Sequence, residues 1–298
     1  MRLNRLALLA IAAIGLGTVA VLGGNLARSS TAKAADLEVV APAPKGSGAL
    51  VICGGGAIPD SVRKQFVDLA GGADARIVVI PTAHSIADRP NAAEMVLAPW
   101  KQFGARSLTV FHTRSREKAD DAEFLRPLVE ATGVWFGGGV QSNLVAAYRG
   151  TAVEAHLAEL LKRGGVIGGT SAGAAVMTRV MIASGRIEAK LGEGFDFLPG
   201  SVVDQHFLKR NRYKRLMGVL NKNPNLLGFG IDEQTALIVR GRRLDVVGNS
   251  YVVACQAAVG DQGPRTEFLK GGDQADLDSL RGPRPIVLPS LKDSLASD

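Results

Sequence analysis

The stretch that decides the fold reads GVIGGTSAGAAVM and covers residues 165–177. An apolar pair leads into two glycines, and a single serine, Ser171, stands between small residues ahead of a second apolar run. This pattern predicts a buried strand that turns sharply into a helix. Residues 169–173 have the form Gly-x-Ser-x-Gly, in which a serine occupies a strained strand-to-helix turn and the flanking glycines leave room around it. Ser171 is therefore the candidate nucleophile.

A serine at such a turn lies beside the free N–H groups of the helix that begins there. Those groups can stabilise negative charge that develops next to the serine oxygen. A phosphate-binding loop would use a similar turn, but it continues as Gly-Lys-Ser or Gly-Lys-Thr. No such sequence follows Ser171, and this disfavours a phosphate-binding loop.

Short apolar runs alternate with segments of helical spacing on the N-terminal side of Ser171. The predicted strands are 50–53, 76–80, 108–112, 134–136 and 166–167, and the predicted helices are 61–70, 91–103, 120–132, 141–148 and 151–163. Continuous apolar runs indicate strands that are buried on both faces. The sequence therefore predicts an α/β fold, a doubly wound and mostly parallel sheet flanked by helices. Loops 54–56, 82–84 and 137–141 should then meet Ser171 at the carboxyl edge of that sheet.

The pattern is weaker beyond the Ser171 helix. Residues 181–200 are predicted to be irregular, 201–204, 228–232 and 235–239 to be strands, 213–221 to be a helix, and 244–247 and 251–255 to form a closing meander. From about Gly263 the sequence is polar and interrupted by prolines and glycines. We therefore expect a catalytic α/β domain over 48–262 and a poorly packed C-terminal extension over 263–298.

The formal net charge of +7 arises largely from the first segment. Residues 1–34 contain four basic and no acidic residues, so the rest of the chain carries +3. Such a modest charge does not indicate nucleic-acid binding.

Residues 1–34 have the composition of an export signal. Arg2 and Arg5 precede an apolar run from Leu6 to about Gly24, and residues 32–34 supply an Ala-x-Ala cleavage site. Because the run is nearly long enough to span a bilayer, an N-terminal membrane anchor is the alternative. We expect a periplasmic or secreted protein without membrane association once the signal is removed. Residues 35–47 are expected to form a linker.

Cys53 and Cys255 each fall in an apolar, strand-like run. An oxidising compartment would allow them to pair, but small buried thiols are common in such runs, and we expect two buried thiols. The histidines show no metal-ligand spacing, so neither a metal nor a cofactor is expected. The four histidines are His84, His112, His156 and His206.

A serine nucleophile needs a base that accepts its proton, and usually a third group that orients the base. His206 is the single histidine downstream of Ser171 and follows a predicted strand, which makes it the leading candidate. His84 also follows a strand and is the alternative base. The carboxylates between Ser171 and His206 are Glu188, Glu193, Asp196 and Asp204.

Three arginines, Arg210, Arg212 and Arg215, follow His206 closely. Most runs of charge form a solvated face. If the following helix begins near Asn211, however, the three guanidinium groups can converge and bind carboxylates in a bidentate manner.

Four blocks of this sequence together resemble the cyanophycinases and their relatives in the dipeptidase E-like family of serine peptidases. The blocks are FGGGVQ at 136–141, GGTSAGA at 168–174, DQHF at 204–207 with the three arginines, and GIDEQTAL at 230–237. They occur in the family's order, and the resemblance covers roughly residues 50–259. The string from Asp204 to Arg215 is far more specific than Gly-x-Ser-x-Gly alone.

The resemblance implies a flavodoxin-like or class I glutamine amidotransferase-like sandwich in which Ser171 attacks and His206 is the base. It places the orienting glutamate between those two residues in sequence, where Glu188 fits best and Glu193 is the alternative. Backbone N–H groups of Ala172 and of Gly138 or Gly139 would form the oxyanion hole. The residues implied to line the substrate pocket are Gln141, Asp204, Gln205, Arg210, Arg212 and Arg215.

The family's substrate is cyanophycin, a polyaspartate backbone that carries arginine on each side-chain carboxylate and is cut to β-Asp-Arg dipeptides. The expected partner is therefore this polymer or a related aspartyl peptide. Loop 54–58 lacks the acidic residue typical of cytoplasmic cyanophycinases, and the chain carries an export signal. An exported aspartyl dipeptidase and a non-catalytic module that binds acidic peptides are the alternatives. The oligomeric state is left open, with a homodimer as one alternative.

Overall fold

The computed structural model describes residues 48–282. The predicted export signal, the linker at 35–47 and residues 283–298 of the predicted extension lie outside the described residues. In the part that is described, no helix combines the length and the apolar character needed to cross a bilayer.

The described chain forms fourteen strands and eight α-helices. The strands are β1 Ala49–Cys53, β2 Arg76–Ile80, β3 Ser107–Val110, β4 Gly133–Phe136, β5 Val166–Thr170, β6 Val180–Ser184, β7 Lys190–Glu193, β8 Ser201–Gln205, β9 Leu227–Ile231, β10 Thr235–Arg240, β11 Arg243–Gly248, β12 Tyr251–Gln256, β13 Arg265–Lys270 and β14 Gln274–Asp276. The helices are α1 Asp60–Leu69, α2 Ala92–Leu97, α3 Ala122–Glu130, α4 Gln141–Tyr148, α5 Ala152–Lys162, α6 Ala172–Ala175, α7 Tyr213–Lys222 and α8 Leu277–Arg281. Short 3-10 helices occupy Gly72–Asp74, Ser85–Asp88, Ala98–Phe103 and Lys118–Asp120.

The main sheet has eight strands in the order β14-β11-β10-β1-β5-β4-β2-β3. The five strands from β1 to β3 in this order run parallel, whereas β10, β11 and β14 are antiparallel to their neighbours. Helices connect the parallel strands, as the alternating sequence pattern predicts. The mostly parallel α/β sheet is therefore confirmed, and its carboxyl edge carries the loop that contains Ser171.

Both faces of the central strands of the main sheet are buried, which explains their apolar runs. On β1, Val51 and Cys53 pack with Val62 and Phe66 of α1, whereas Leu50 and Ile52 pack into the core formed with α3 to α6. Successive strand residues point to opposite faces, so a strand covered on both sides must be apolar throughout.

A second sheet, β13-β12-β9-β8, packs against the main sheet. One face of this sheet, with Val203 and Phe229, contributes to the core shared with the main sheet. Its other face, with Val202 and Val253, packs on α7. The predicted meander of 244–247 and 251–255 is wrong, because β11 pairs with β10 in the main sheet while β12 pairs with β9 and β13 in the second sheet.

Two further segments differ from the sequence prediction. Residues 180–193, predicted to be irregular, contain the hairpin of β6 and β7. Residues 265–281, predicted to be poorly packed, form β13, β14 and α8, with Leu269, Leu277 and Leu280 in the main core. The domain therefore continues past residue 262, because strand pairing extends to Lys270 in the second sheet and to Asp276 in the main sheet.

Cys53 and Cys255 are free and buried, in separate core clusters. Burial raises the pKa of both thiols, to about 11 for Cys255. The prediction of two buried thiols is confirmed.

Candidate active site

Ser171 occupies the sharp turn between β5 and α6. Its backbone has φ 52° and ψ −107°, a conformation that residues other than glycine rarely adopt. Its N–H donates to the carbonyl of Cys53 at 3.0 Å, which ties the turn to the end of β1. A Cβ on Gly169 would lie 2.5 Å from the carbonyl oxygen of Gly173. The first glycine of Gly-x-Ser-x-Gly is thus required by close backbone packing within the turn.

His206 lies within hydrogen-bond distance of the serine hydroxyl. Its Nε2 is 2.9 Å from the Oγ of Ser171. The histidine directly follows β8, and its N–H donates to the carbonyl of Gly54 at 2.7 Å. Gly55 is pressed against the imidazole, since a Cβ at residue 55 would lie 2.4 Å from Cε1 of His206. The loop after β1 therefore forms the floor on which the imidazole rests.

Glu233 holds the other nitrogen of the same ring. Its Oε1 is 2.6 Å from the Nδ1 of His206. The parallel pairing of β8 with β9 aligns Gln205 with Ile231, so the residues just beyond each strand end are neighbours. Ser171, His206 and Glu233 thus form one continuous hydrogen-bonded chain.

Glu188 and Glu193, the acids expected to orient His206, do not do so. Both belong to the hairpin of β6 and β7 and are exposed to solvent. The carboxylate of Glu193 pairs with Arg149 instead. The sequence analysis placed the orienting acid between the serine and the histidine in sequence, whereas the acid that contacts the imidazole follows the histidine in sequence.

The electrostatic environment favours the neutral form of His206. Burial lowers the pKa of its imidazole, while the hydrogen bond with Glu233 acts in the opposite direction. The nearby positive charges of Arg210 and Arg212 lower this pKa further. A neutral imidazole is the form that can accept a proton from a hydroxyl group.

Backbone N–H groups are available beside the serine hydroxyl. Ala172 is the first residue of α6, so its N–H has no acceptor within the helix. A Cβ on Gly138 would lie 3.4 Å from the Cβ of Ser171, which places the backbone of residue 138 next to the serine. Gly139 follows on the cleft wall, against the carbonyl of Ala83. These are the three positions expected to supply an oxyanion hole.

Ser171 and His206 open into a cleft of about 530 Å³. Five of the six residues expected to bind substrate line this cleft, and they are Gln141, Gln205, Arg210, Arg212 and Arg215. The arginines converge because residues 207–212 form a turn before α7 begins at Tyr213, with Asn211 at φ 48°. The helix begins two residues after Asn211, close to the start that convergence of the three guanidinium groups requires.

Asp204 lies behind the cleft rather than in its wall. Its side chain is fully buried and forms a bidentate pair with Arg215, whose Nε donates to Oδ2 at 2.8 Å. Arg212 donates to the side-chain oxygen of Gln205 at 2.8 Å and reaches Asp204 at 3.5 Å. Burial, followed by the charge of Arg215, lowers the pKa of Arg212 to about 10. Asp204 therefore neutralises and orients the guanidinium groups.

Gln141 and Arg215 hold the hairpin of β6 and β7, which forms one wall of the cleft. The side-chain amide of Gln141 donates to the carbonyls of Ile182 at 2.8 Å and Ala183 at 2.7 Å. Arg215 donates to the carbonyl of Gly185. Both side chains therefore donate hydrogen bonds to backbone carbonyls of the cleft wall itself.

Arg210 is the exposed arginine of the group. Within residues 48–282 it forms no salt bridge or side-chain hydrogen bond, and it lines the cleft next to His206. Its guanidinium is accordingly available to an anionic ligand.

His84, the alternative base, also lines the cleft. Its Nδ1 accepts a hydrogen bond from the N–H of Ile86 at 3.0 Å, as the cap of a 3-10 turn. The serine hydroxyl is bonded to His206 instead. Among the described residues, no group of three or more potential ligands is positioned to hold a metal ion.

Sequence reasoning gave no specific role to two residues of this site, Glu233 and Gly55, although it expected loop 54–56 at this edge of the sheet. Glu233 follows a predicted strand, inside the block GIDEQTAL, so its position at a strand end was a usable signal. Gly55 stands in the glycine run after the first strand, but no sequence feature indicates that an imidazole packs on it.

Comparisons with known proteins agree with this geometry. The model of "Peptidase family S51" matches residues 50–247. A cyanophycinase of Geminocystis herdmanii is 34% identical over 200 residues, covering 64% of this chain and 73% of the relative. A cyanophycinase of Synechococcus elongatus is 37% identical over 218 residues, covering 68% of this chain and 66% of the relative.

A solved structure of a peptidase from an acI-B1 Actinobacterium has a similar fold. It superposes with a TM-score of 0.62 at 25% identity, and the match covers 77% of this chain and 97% of that one. With the family model matching most of the described domain, the chain belongs to peptidase family S51 and is a peptidase.

Proposed function

We propose that this protein is a serine peptidase that hydrolyses cyanophycin to β-Asp-Arg dipeptides through an acyl-enzyme. The observation that carries the proposal is the hydrogen-bonded chain of Ser171, His206 and Glu233 at the mouth of an arginine-lined cleft. The relatives named cyanophycinase support the choice of polymer.

Acylation begins when the Oγ of Ser171 attacks the carbonyl carbon of the scissile bond. The Nε2 of His206 accepts the hydroxyl proton, and Glu233 stabilises the resulting imidazolium through Nδ1. The negative charge on the carbonyl oxygen is stabilised by the N–H groups of Ala172 and Gly138. The C–N bond then breaks, and the amine leaves with the proton from His206.

Deacylation repeats these steps with water as the nucleophile. His206 removes a proton from the water, the resulting hydroxide attacks the acyl carbon, and the Oγ of Ser171 leaves with that proton. The strained backbone of Ser171 keeps the hydroxyl outside the sheet edge during both halves of the reaction.

Arg210 and Arg212 are placed to bind a carboxylate of the substrate. Each arginine of cyanophycin retains a free α-carboxylate, and a guanidinium binds such a group in a bidentate manner. Arg212 is already oriented by Gln205 and Asp204, so little side-chain entropy is lost on binding.

The first prediction tests the enzyme and its substrate together. Purified protein incubated with cyanophycin should release β-Asp-Arg, detected by mass spectrometry. Ser171→Ala should abolish the release without altering the circular dichroism spectrum, because the nucleophile is lost and the fold is kept. Ser61→Ala, which changes an exposed serine on α1, is the matched control and should retain full activity.

The outcomes separate the alternatives. Cleavage of aspartyl dipeptides without release of β-Asp-Arg from the polymer would favour an aspartyl dipeptidase. Polymer binding without turnover would indicate a binding module. Unchanged hydrolysis by Ser171→Ala would remove the serine mechanism.

We further propose that the protein is exported, with residues 1–34 as a cleaved signal. Arg2, Arg5, the apolar run and the Ala-x-Ala site support this proposal. N-terminal sequencing of the protein recovered from its producing cells should begin at Ala35. A chain that starts at Met1 and stays in the membrane fraction would favour the membrane anchor.

A further inference from the structure

A second, apolar groove adjoins the active-site cleft. It has a volume of about 180 Å³, and it shares His84, Gly138 and Thr170 with the cleft. The remaining wall is mainly apolar and includes Ile58, Ile86, Met95, Pro99, Trp100 and Trp135. Because Gly138 and Thr170 flank Ser171, this groove begins within one residue of the nucleophile.

The groove and the hairpin wall of the cleft lie on opposite faces of the main sheet. Trp100 and Trp135 belong to the cluster on the α1 face. Met181 and Ala183 of the hairpin belong to the cluster on the other face. A substrate that crosses the carboxyl edge over Ser171 therefore presents neighbouring residues to both sides. One residue meets the arginines, and another meets the apolar groove.

The chemistry of the groove selects against a cationic side chain. None of the residues that line the groove carries a carboxylate. The one permanently charged wall residue is itself a cation, Arg63, whose guanidinium lies 6.0 Å from the ring centroid of Trp100. Because Arg63 is already paired with Asp60 at 3.0 Å, the charges around the groove balance, and a guanidinium or ammonium entering it would lose hydration without finding a carboxylate in the wall. An uncharged apolar side chain avoids that cost and buries its surface against the apolar wall, whose more accessible residues include Ile58 and Met95.

We propose that this groove is a side-chain subsite for an uncharged apolar residue, so that the enzyme also cleaves aspartyl peptides in which leucine, methionine or phenylalanine replaces an arginine. The inference rests on the proposed function, because it uses the same nucleophile. The reaction is the same hydrolysis, in which water adds across the C–N bond and no other reactant is consumed.

The test uses synthetic trimers of the β-Asp-Arg unit in which one arginine, at each position in turn, is replaced by leucine or by glycine. At the position that enters the groove, the leucine trimer should have a kcat/KM about tenfold higher than the glycine trimer, from burial of one leucine side chain. A leucine-to-glycine ratio near one at all three positions would overturn the subsite.

A matched pair of variants places the effect in the groove. Met95 and Val129 are both apolar and exposed, at 44% and 52%. Met95→Glu puts a charge in the groove wall and should reduce the leucine-to-glycine ratio at least fivefold. Val129→Glu adds the same charge on α3 and should leave both the ratio and the activity unchanged. A leucine preference that survives Met95→Glu would place its origin elsewhere and overturn the proposal.

A binding measurement makes the result independent of turnover. The chain contains two tryptophans, Trp100 and Trp135, and both line the groove. In Ser171→Ala, the leucine trimer should shift the tryptophan emission, and the glycine trimer should not. If the wild type cleaves no trimer while this shift is present, the proposed function fails and the subsite stands. If the trimers are cleaved without preference and without a shift, the subsite fails and the proposed function stands.

Discussion

At the scale of the residue, the orientation of His206 depends on an acid that follows it in sequence. Glu233 lies 27 residues beyond the histidine and bonds its Nδ1 at 2.6 Å. Serine, base and arginine cluster were each identifiable from residue type and from their position after a strand. The acid also follows a predicted strand, but its proximity to His206 comes from the parallel pairing of β8 with β9, which no local sequence spacing encodes.

Exchanging the acid for its amide tests this assignment. Glu233→Gln should lower kcat on the order of 10³- to 10⁴-fold, because an amide no longer stabilises the imidazolium and can fix the wrong tautomer. Steady-state kinetics on cyanophycin would measure the change. Glu188→Gln, the same substitution at an exposed hairpin residue, should leave kcat unchanged. Equal losses in the two variants would contradict the role of Glu233.

The pH dependence should report the charges around His206. Only the neutral imidazole accepts the serine proton, and its pKa lies below the ordinary 6.5, so kcat/KM should remain high below that pH. Arg210→Gln removes a cation that lowers this pKa, so the acid limb of the profile should move to higher pH. The pH profile of kcat/KM for both proteins measures the shift.

Lys209→Gln provides the control for that profile. It removes one positive charge from the adjacent residue, whose side chain is not among the groups that shift His206. Its acid limb should coincide with that of the wild type. A shift of the same size would mean that net charge, rather than the placement of Arg210, sets the pKa.

At the scale of the element, the buried strands of the main sheet were predictable, whereas the hairpin of β6 and β7, whose second strand is exposed, was not. β1 and β4, for example, are apolar throughout and buried throughout, because both of their faces are covered. The strand β7, in contrast, is mostly exposed and contains a glycine, so it shows neither an apolar run nor alternation. Side-chain hydrogen bonds from outside the hairpin hold it in place, and these are not visible in its own sequence.

Gln141 should therefore act by positioning the cleft wall. Gln141→Leu removes two donors and leaves two carbonyls without them, which should lower the free energy of opening the hairpin by about 1–3 kcal/mol. Hydrogen exchange of residues 180–193 should become faster, and KM should rise more than kcat falls. Gln102→Leu, at an exposed glutamine that reaches Asp60 at 3.3 Å, is the control. Unchanged exchange in Gln141→Leu would indicate that the hairpin needs no such support.

At the scale of the whole molecule, the strand segments were largely foreseen but their division between two sheets was not. Apolar runs identify strands without specifying partners, so β11 and β12 looked like one meander although they belong to different sheets. The C-terminal strands were missed for a related reason. β13 has a single buried residue, Leu269, among polar neighbours, and this is too little apolar character to predict a strand.

The packing of β13 can be measured with two adjacent residues. Leu269 is 6% exposed and faces the main core, whereas Phe268 is 56% exposed. Leu269→Ala should lower the free energy of unfolding by about 2–4 kcal/mol through lost burial and a cavity. Phe268→Ala should cost about 1 kcal/mol or less, from its edge contact with Tyr251. Urea denaturation gives both values, and equal effects would mean that β13 does not seal the core.

The reacting groups are divided between the two sheets. Ser171 is carried by the main sheet, whereas His206 and Glu233 are placed by strands of the second one. The distance between the hydroxyl and the imidazole therefore depends on how the two sheets are aligned, and a relative shift of about 1 Å would reduce turnover on the order of 10²-fold. A chain in which every strand has formed but the two sheets have not yet packed together would therefore be inactive. The return of hydrolysis during refolding would then time that final docking step.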